Sequence, residues 1–157
     1  IVETVIRVND EVKRRMVAKL RDLCGGSYNG KKIAVLGVTF KPNTDDMRDA
    51  PALTIVPALV GGGAEVTVTD PQGAHEGTAM LPGVAWADDA YAAAQGADLI
   101  VILTEWREFR ALDLGRLAGT MAQARMADLR NIYSVAETQE AGFEAYVSIG
   151  RRDMGMD

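Results

Sequence analysis

Apolar residues recur at spacings of three and four along the first segment of the chain: Val5, Val8, Val12, Met16, Leu20 and Leu23. That period places them on one face of an α-helix, with Arg7, Lys13, Arg14, Lys19 and Arg21 falling between them. A helix over residues 1–23 spans roughly 33 Å at 1.5 Å per residue. Its stripe either packs on its own domain or continues a longer helix and is buried against a partner. Gly25-Gly26-Ser27 stops the helix and Asn29-Gly30 makes a turn.

Beyond this point the pattern changes to short apolar runs separated by helical stretches. Ile33 to Val38 reads as a buried strand, and a helix follows near 50–62, ended by Gly61-Gly62-Gly63. Pro57 removes one backbone donor inside that helix and predicts a kink. Glu65 to Thr69 is a second strand closed by Asp70-Pro71, and residues 72–83, with Gly73, Gly77 and Pro82-Gly83, read as loop. A short strand falls at Val84 to Trp86. An alanine-rich helix capped by Asp88 or Asp89 runs through Gln95, and Asp98 to Leu103 is a strongly apolar strand. A helical turn at Trp106 to Phe109 follows, then a helix at Leu112 to Met121 and a strand at Arg125 to Leu129. A helix at Val135 to Ala141 and a strand at Ala145 to Ile149 complete the pattern, and the tail 151–157 reads as flexible. Strands alternating with helices predict an α/β fold: a Rossmann-like, doubly wound parallel sheet covered on both faces, preceded by the long amphipathic helix. The boundaries divide the chain into the helix at 1–24, a domain at 25–150 and the tail.

Composition narrows the partners. A length of 157 residues fits one domain with its own core. The net charge of −5 argues against nucleic acid, which calls for a basic face. The single cysteine, Cys24, excludes an internal disulfide and fits a reducing, cytoplasmic setting. No apolar run reaches membrane-spanning length. The chain opens on Ile1 inside a periodic segment, as expected of a piece of a longer protein.

The candidate chemistry gathers after the first strand. In an open α/β sheet, ligands bind beyond the carboxyl ends of the strands. The loop holding Thr39-Phe40-Lys41-Pro42-Asn43-Thr44-Asp45-Asp46-Met47-Arg48 lies at such an end. Its two cations, Lys41 and Arg48, suit an anionic, phosphate-bearing ligand; the alternative is a solvated turn, which Pro, Asn and Asp also favour. Asp128-Leu129-Arg130-Asn131 ends another strand at the same rim, where Arg130 and Lys41 converge on one anion in the functional reading. The G-x-G-x-x-G cradle for a dinucleotide is absent, since only Gly37 stands in the strand-to-helix turn. Phe40 and Lys41 obstruct the close approach that a pyrophosphate needs, and without the glycines Asp70 reads as a turn residue, not a ribose ligand.

Other chemistry is weaker. Cys24 lacks an evident base, since the one histidine, His75, lies in a loop, so the cysteine reads as a plain helix end. One His and one Cys make no dedicated metal site. Asp45-Asp46 resembles the acid pair of a response-regulator receiver, but no acceptor aspartate follows the strand ending at Leu103. Trp106 and Phe109 share a helix face and read as core.

Gly37 to Arg48 resembles the signature that opens the C-terminal domain of UDP-glucose 6-dehydrogenases and their nucleotide-sugar relatives. Ile102-Leu103-Thr104-Glu105-Trp106-Arg107-Glu108-Phe109 resembles a segment of the UDP-glucose branch, and Asp128-Leu129-Arg130-Asn131 is similar to the family's Asp-Gly-Arg-Asn. Ala141-Gly142-Phe143 and Ser148-Ile149-Gly150-Arg151 match as well. The resemblance implies two NAD-dependent oxidations of the sugar C6 alcohol, with NAD bound mainly by an N-terminal domain. It implies a catalytic cysteine in Gly-Gly-Ser-Cys-Phe-Pro, a setting that Cys24 does not match, so no catalytic residue is expected here and this piece alone is expected to be inactive. It also implies that Phe40, Lys41 and Arg130 bind the UDP-sugar, that Arg48 reaches the NAD, and that residues 1–24 end a central helix building a homodimer. UDP-glucose is the implied substrate. The alternatives are UDP-N-acetylmannosamine or GDP-mannose for a related dehydrogenase, or a stand-alone nucleotide-binding regulatory module. Leu129 departs from the family's glycine; if that glycine supplies a positive φ, Arg130 is displaced.

Overall fold

Short, largely apolar segments form six strands in the computed structural model, which describes residues 1–151 and 153–155. The strands are β1 (Lys32–Leu36), β2 (Glu65–Thr69), β3 (Ala85–Trp86), β4 (Leu99–Ile102), β5 (Arg125–Asp128) and β6 (Ala145–Ser148). All neighbouring pairs are parallel, in the order β3-β2-β1-β4-β5-β6. The expected doubly wound α/β architecture is therefore present. Strand order reverses at β1, so the loops after β1 and β4 leave the sheet in a region suited to ligand binding.

The central strands are apolar at consecutive positions because both faces are covered. Ile33, Val35, Val66, Val68, Leu99, Val101 and Val147 face one core, together with Leu20 and Leu23 of α1 (Val2–Leu23) and Ile55, Val56 and Leu59 of α2 (Ala52–Gly61). Ala34, Leu36, Ile100, Ile102, Met126 and Tyr146 face the other. There they meet Ala90, Ala93 and Ala94 of α4 (Ala90–Ala94) and Leu117 of α6 (Leu114–Thr120), with Tyr133 beside α7 (Val135–Glu140). Asp89 caps α4 by accepting from Ala92 N at 2.8 Å, and Ser134 and Glu137 form a reciprocal capping box on α7. Helix α2 runs through Pro57, whose ring lies on the exposed face.

Several boundaries differ from expectation. Strand β1 ends at Leu36 because Gly37 has a φ of +86° and turns the chain, leaving Val38 beyond the ladder. Residues 72–83 are not all loop: Ala74–Met80 form α3. Gly77, which argued against a helix, lies where a Cβ would fall 2.5 Å from the Trp86 ring. The glycine permits close packing of α3 on β3 rather than breaking the chain. Trp106 caps α5 (Arg107–Arg110), and its ring is buried with Phe109, as core residues should be. In the stretch expected as a flexible tail, Arg151 donates from Nη1 to Tyr133 O at 2.7 Å and Met154 pairs with Tyr146 in an antiparallel bridge; residues 152, 156 and 157 lie outside the described residues.

Helix α1 is divided along its length. Its last turns are buried, with Leu20 fully covered, whereas Val5, Ile6 and Val8 stay about half exposed. Arg125 Nη1 donates to Leu23 O at 2.7 Å, and the Tyr28 hydroxyl donates to Val17 O, which fastens the carboxyl half to the domain.

Candidate functional site

The loop from Gly37 to Pro51 is folded by a buried acid at the end of β2. Asp70 Oδ2 accepts from Val38 N at 2.8 Å and Thr39 N at 3.2 Å, while its Oδ1 accepts from Gln72 N at 2.9 Å and Gly73 N at 2.7 Å. Asp70 is thus a turn residue, as expected, and also the anchor of the loop after β1. Phe40 N then donates to Asp46 O at 2.7 Å and closes the loop on itself. Asn43 and Asp49 take φ values of 62° and 57°, a region short polar side chains tolerate.

This fold presents Phe40 and Lys41 outward. The Phe40 ring is 48% exposed, unlike the buried Trp106 and Phe109. Lys41 is exposed, and among the described residues no ion pair holds its Nζ. Both line an open cleft of about 690 Å³ between α1 and the loops after β1 and β5. Arg130 and Lys13 line the same cleft, with Asp10 and Asp49 as its acids. Lys13 lies 4.0 Å from Asp10, a weak pairing.

Arg130 stands on a turn wrapped around another buried acid, at the end of β5. Asp128 Oδ1 accepts from Arg130 N at 3.2 Å; its Oδ2 accepts from Tyr133 N at 2.9 Å and the Tyr146 hydroxyl at 2.8 Å. Burial and the Asp128 charge push the Tyr146 hydroxyl pKa up, which keeps it a donor. The Asn131 amide clasps Ile149, donating to its O and accepting from its N, both at 2.9 Å. The left-handed residue of the turn is Asn131, with φ 54°, and not Leu129. Leu129 is buried in the core beneath α1 and α2, and its N donates to Ile102 O at 3.1 Å. An L side chain is therefore accommodated before Arg130 without a positive φ. The Arg130 Nε donates to Glu105 Oε2, and this bond holds the Glu105 carboxyl below its ordinary pKa.

Arg48 lies elsewhere. It shares a second cleft, of about 430 Å³, with Thr44, Glu76 and Met80. Its Nε and Nη2 grip the two Asp46 oxygens at 3.0 and 2.9 Å, and the side chain is 86% exposed. The pairing lowers the Asp46 pKa from 3.8 to about 2. The structure thus brings Phe40, Lys41 and Arg130 to one cleft and keeps Arg48 apart.

Cys24 is buried at the end of α1, and burial pushes its thiol pKa up, the opposite of an activated nucleophile. Among the described residues, no group of three or more His, Cys, Asp or Glu is placed to hold a metal ion. A dinucleotide pyrophosphate does not fit the turn after β1: the space beyond Gly37 is filled by Thr104, which a Cβ at position 37 would approach to 2.5 Å. Among the described residues, no helix is long and apolar enough to cross a membrane.

Lys13, Asp70, Glu105 and Asp128 were not assigned to the site by sequence. Glu105 belongs to a segment singled out there, but its partner is evident only once β4 is known to lie beside β5.

The six-stranded parallel sheet defines a Rossmann-like domain, with Phe40, Lys41 and Arg130 lining one cleft at its carboxyl rim. Residues 34–135 match the model of the UDP-glucose/GDP-mannose dehydrogenase family, UDP binding domain, and the chain belongs to that family. It is 52% identical over 153 residues to the UDP-glucose 6-dehydrogenase of Rhizobium meliloti (strain 1021), covering 98% of this chain and 35% of the relative. It is 41% identical to the UDP-glucose 6-dehydrogenase TuaD of Bacillus subtilis (strain 168), covering 96% and 32%. A UDP-glucose dehydrogenase structure from Pyrobaculum islandicum superposes with a TM-score of 0.74 at 29% identity, over 92% of this chain and 31% of that one. The chain therefore spans about a third of the length of these relatives.

Proposed function

We propose that this chain is the UDP-sugar-binding part of a dehydrogenase that oxidises UDP-glucose to UDP-glucuronate with NAD. The observation that carries this reading is the shared cleft. Among the described residues, no ion pair holds the Lys41 ammonium and no partner takes the Nη atoms of the Arg130 guanidinium. Both cations suit a diphosphate. The exposed Phe40 ring offers an apolar face beside them. The UDP-glucose branch is favoured over UDP-N-acetylmannosamine and GDP-mannose by the Thr104-Glu105-Trp106 segment and by the named relatives.

The remainder of the enzyme follows from this reading. NAD belongs mainly to a domain outside this chain, with Arg48 reaching toward it from the separate cleft. The catalytic cysteine also lies outside. Residues 1–24 form the end of a dimerisation helix, residues 25–150 form the substrate domain, and the enzyme works in the cytoplasm.

Calorimetric titration of this chain with UDP, uridine and NAD tests the reading. UDP should bind at least about tenfold more tightly than uridine, the minimum expected of one charge-assisted contact, and NAD should give no saturable heat. Equal affinities for UDP and uridine would reject a diphosphate site.

A further inference from the structure

We infer that Thr104-Glu105-Trp106 positions two of the cleft's cations, Lys41 and Arg130: Thr104 and Trp106 fix the backbone that presents Lys41, and Glu105 orients the guanidinium of Arg130. This deepens the diphosphate reading and rests on it.

Sheet order makes the arrangement possible. Strand β4 lies between β1 and β5, with Ile102 paired to Leu36 on one side and Asp128 on the other. Residues 104–106, which follow β4 after Leu103, therefore stand between the loop carrying Lys41 and the turn carrying Arg130. Toward β1, Thr104 Oγ1 donates to Thr39 O at 2.8 Å and Trp106 Nε1 donates to Thr39 Oγ1 at 3.2 Å. Thr39 Oγ1 in turn lies 3.1 Å from Lys41 O and 3.3 Å from Asp70 Oδ2, the two acceptors within reach of its one proton, and Thr39, Thr104 and Trp106 are all buried. Toward β5, Glu105 takes the Arg130 Nε.

Packing alone does not account for these polar groups. A phenyl ring fills much of the space of an indole, yet the Trp106 N–H is spent on Thr39. A carboxylate beside a site for an anionic ligand repels that ligand unless a paired cation offsets its charge, and Glu105 is paired with Arg130. Glu105 is bound to the Nε edge only, and no bond from Arg130 Nη1 or Nη2 exists among the described residues. The terminal nitrogens thus stay open to a ligand while the plane of the guanidinium is fixed. Arg48 shows the contrasting case, with both Nε and Nη2 spent on Asp46.

The test is a pair of double-mutant cycles read by UDP and uridine affinity. Glu105→Gln should weaken UDP roughly five- to tenfold, the coupling usual within one charge network, and leave uridine unchanged. The loss should vanish in an Arg130→Ala background and persist in Lys41→Ala. Trp106→Phe should show the mirror pattern, its effect vanishing in Lys41→Ala and persisting in Arg130→Ala. Equal losses in both backgrounds, equal losses for UDP and uridine, or tighter UDP binding by Glu105→Gln would each overturn the positioning role. Wild-type chain that does not bind UDP would instead overturn the diphosphate reading beneath it.

Discussion

Gly37 and Thr104 touch so closely that a Cβ on residue 37 would lie 2.5 Å from Thr104 Cβ, 2.8 Å from its Oγ1 and 2.9 Å from its backbone N. The contact joins the chain just beyond the ends of β1 and β4. The glycine that in other Rossmann sheets makes room for a pyrophosphate here makes room for a protein side chain.

Gly37→Ala should therefore be strongly destabilising. The φ of +86° costs an L residue about 1–2 kcal/mol, and overpacking against a backbone nitrogen costs about 1–3 kcal/mol more. Urea unfolding should show a loss of about 2–5 kcal/mol with little change in slope. A loss below about 1 kcal/mol would mean that the two strand ends separate easily.

Asp70→Asn should loosen the loop after β1 more than the sheet. An amide nitrogen replaces one of two oxygens that each accept from at least two donors, so a donor meets donors. Bonds to a charged group contribute about 1.5–3 kcal/mol. Faster hydrogen exchange at Val38 and Thr39, with unchanged exchange at Ile100 and Val101, is the expected pattern. Uniform acceleration across the sheet would make Asp70 a global support instead.

The sheet was legible in the sequence because apolar runs such as Ile33–Leu36 and Leu99–Ile102 are strand-length, rich in β-branched residues and bounded by turns, the pattern of strands covered on both faces. Helix α3 was not, because Gly77 carries the same letter whether it breaks a helix or lets it approach Trp86. At the cleft, Lys41 and Arg130 could be placed on one rim from strand ends alone. The Glu105–Arg130 pair could not, since it depends on β5 lying beside β4. The separation of Arg48 from Lys41, seven residues apart in sequence, arises from the closed loop between Phe40 N and Asp46 O.

That separation predicts a division of labour in a full-length protein carrying a dinucleotide domain. Lys41→Ala should weaken UDP-glucose about ten- to a hundredfold, the equivalent of one charge-assisted contact, and leave NAD affinity nearly unchanged. Arg48→Ala should do the reverse, with a smaller effect because Asp46 already occupies one edge of its guanidinium. Two titrations per variant decide it. Equal losses for both ligands in both variants would assign the residues to folding rather than binding.

The Asp46–Arg48 pair should also show in acid. The Asp46 pKa falls from 3.8 to about 2 because its charged form is bonded to Arg48. A depressed carboxyl pKa favours the folded loop above pH 3.8, and that contribution is lost as pH falls toward about 2. Carboxyl-carbon NMR should place the Asp46 midpoint near 2 in the wild type and close to 3.8 in Arg48→Ala. A midpoint that does not move with Arg48 removal would show that the pair does not persist in solution.

Helix α1 is unevenly buried along its length. Leu20 and Leu23 are covered by the core, but Val5, Ile6, Val8 and Val12 are 53%, 56%, 48% and 39% exposed on a 22-residue helix. Apolar side chains so grouped mark an interaction surface, and a helix half without tertiary support is marginal in water. A second copy of the same stripe satisfies both conditions. Sedimentation of this chain should therefore show concentration-dependent dimers. Val5→Glu with Val8→Glu should yield monomers whose urea midpoint no longer depends on protein concentration, because association of folded chains no longer adds to stability. A wild-type chain that remains monomeric at every concentration, with the amino half of α1 protected from hydrogen exchange, would show that the stripe is covered by its own domain and would remove the basis for a homodimer.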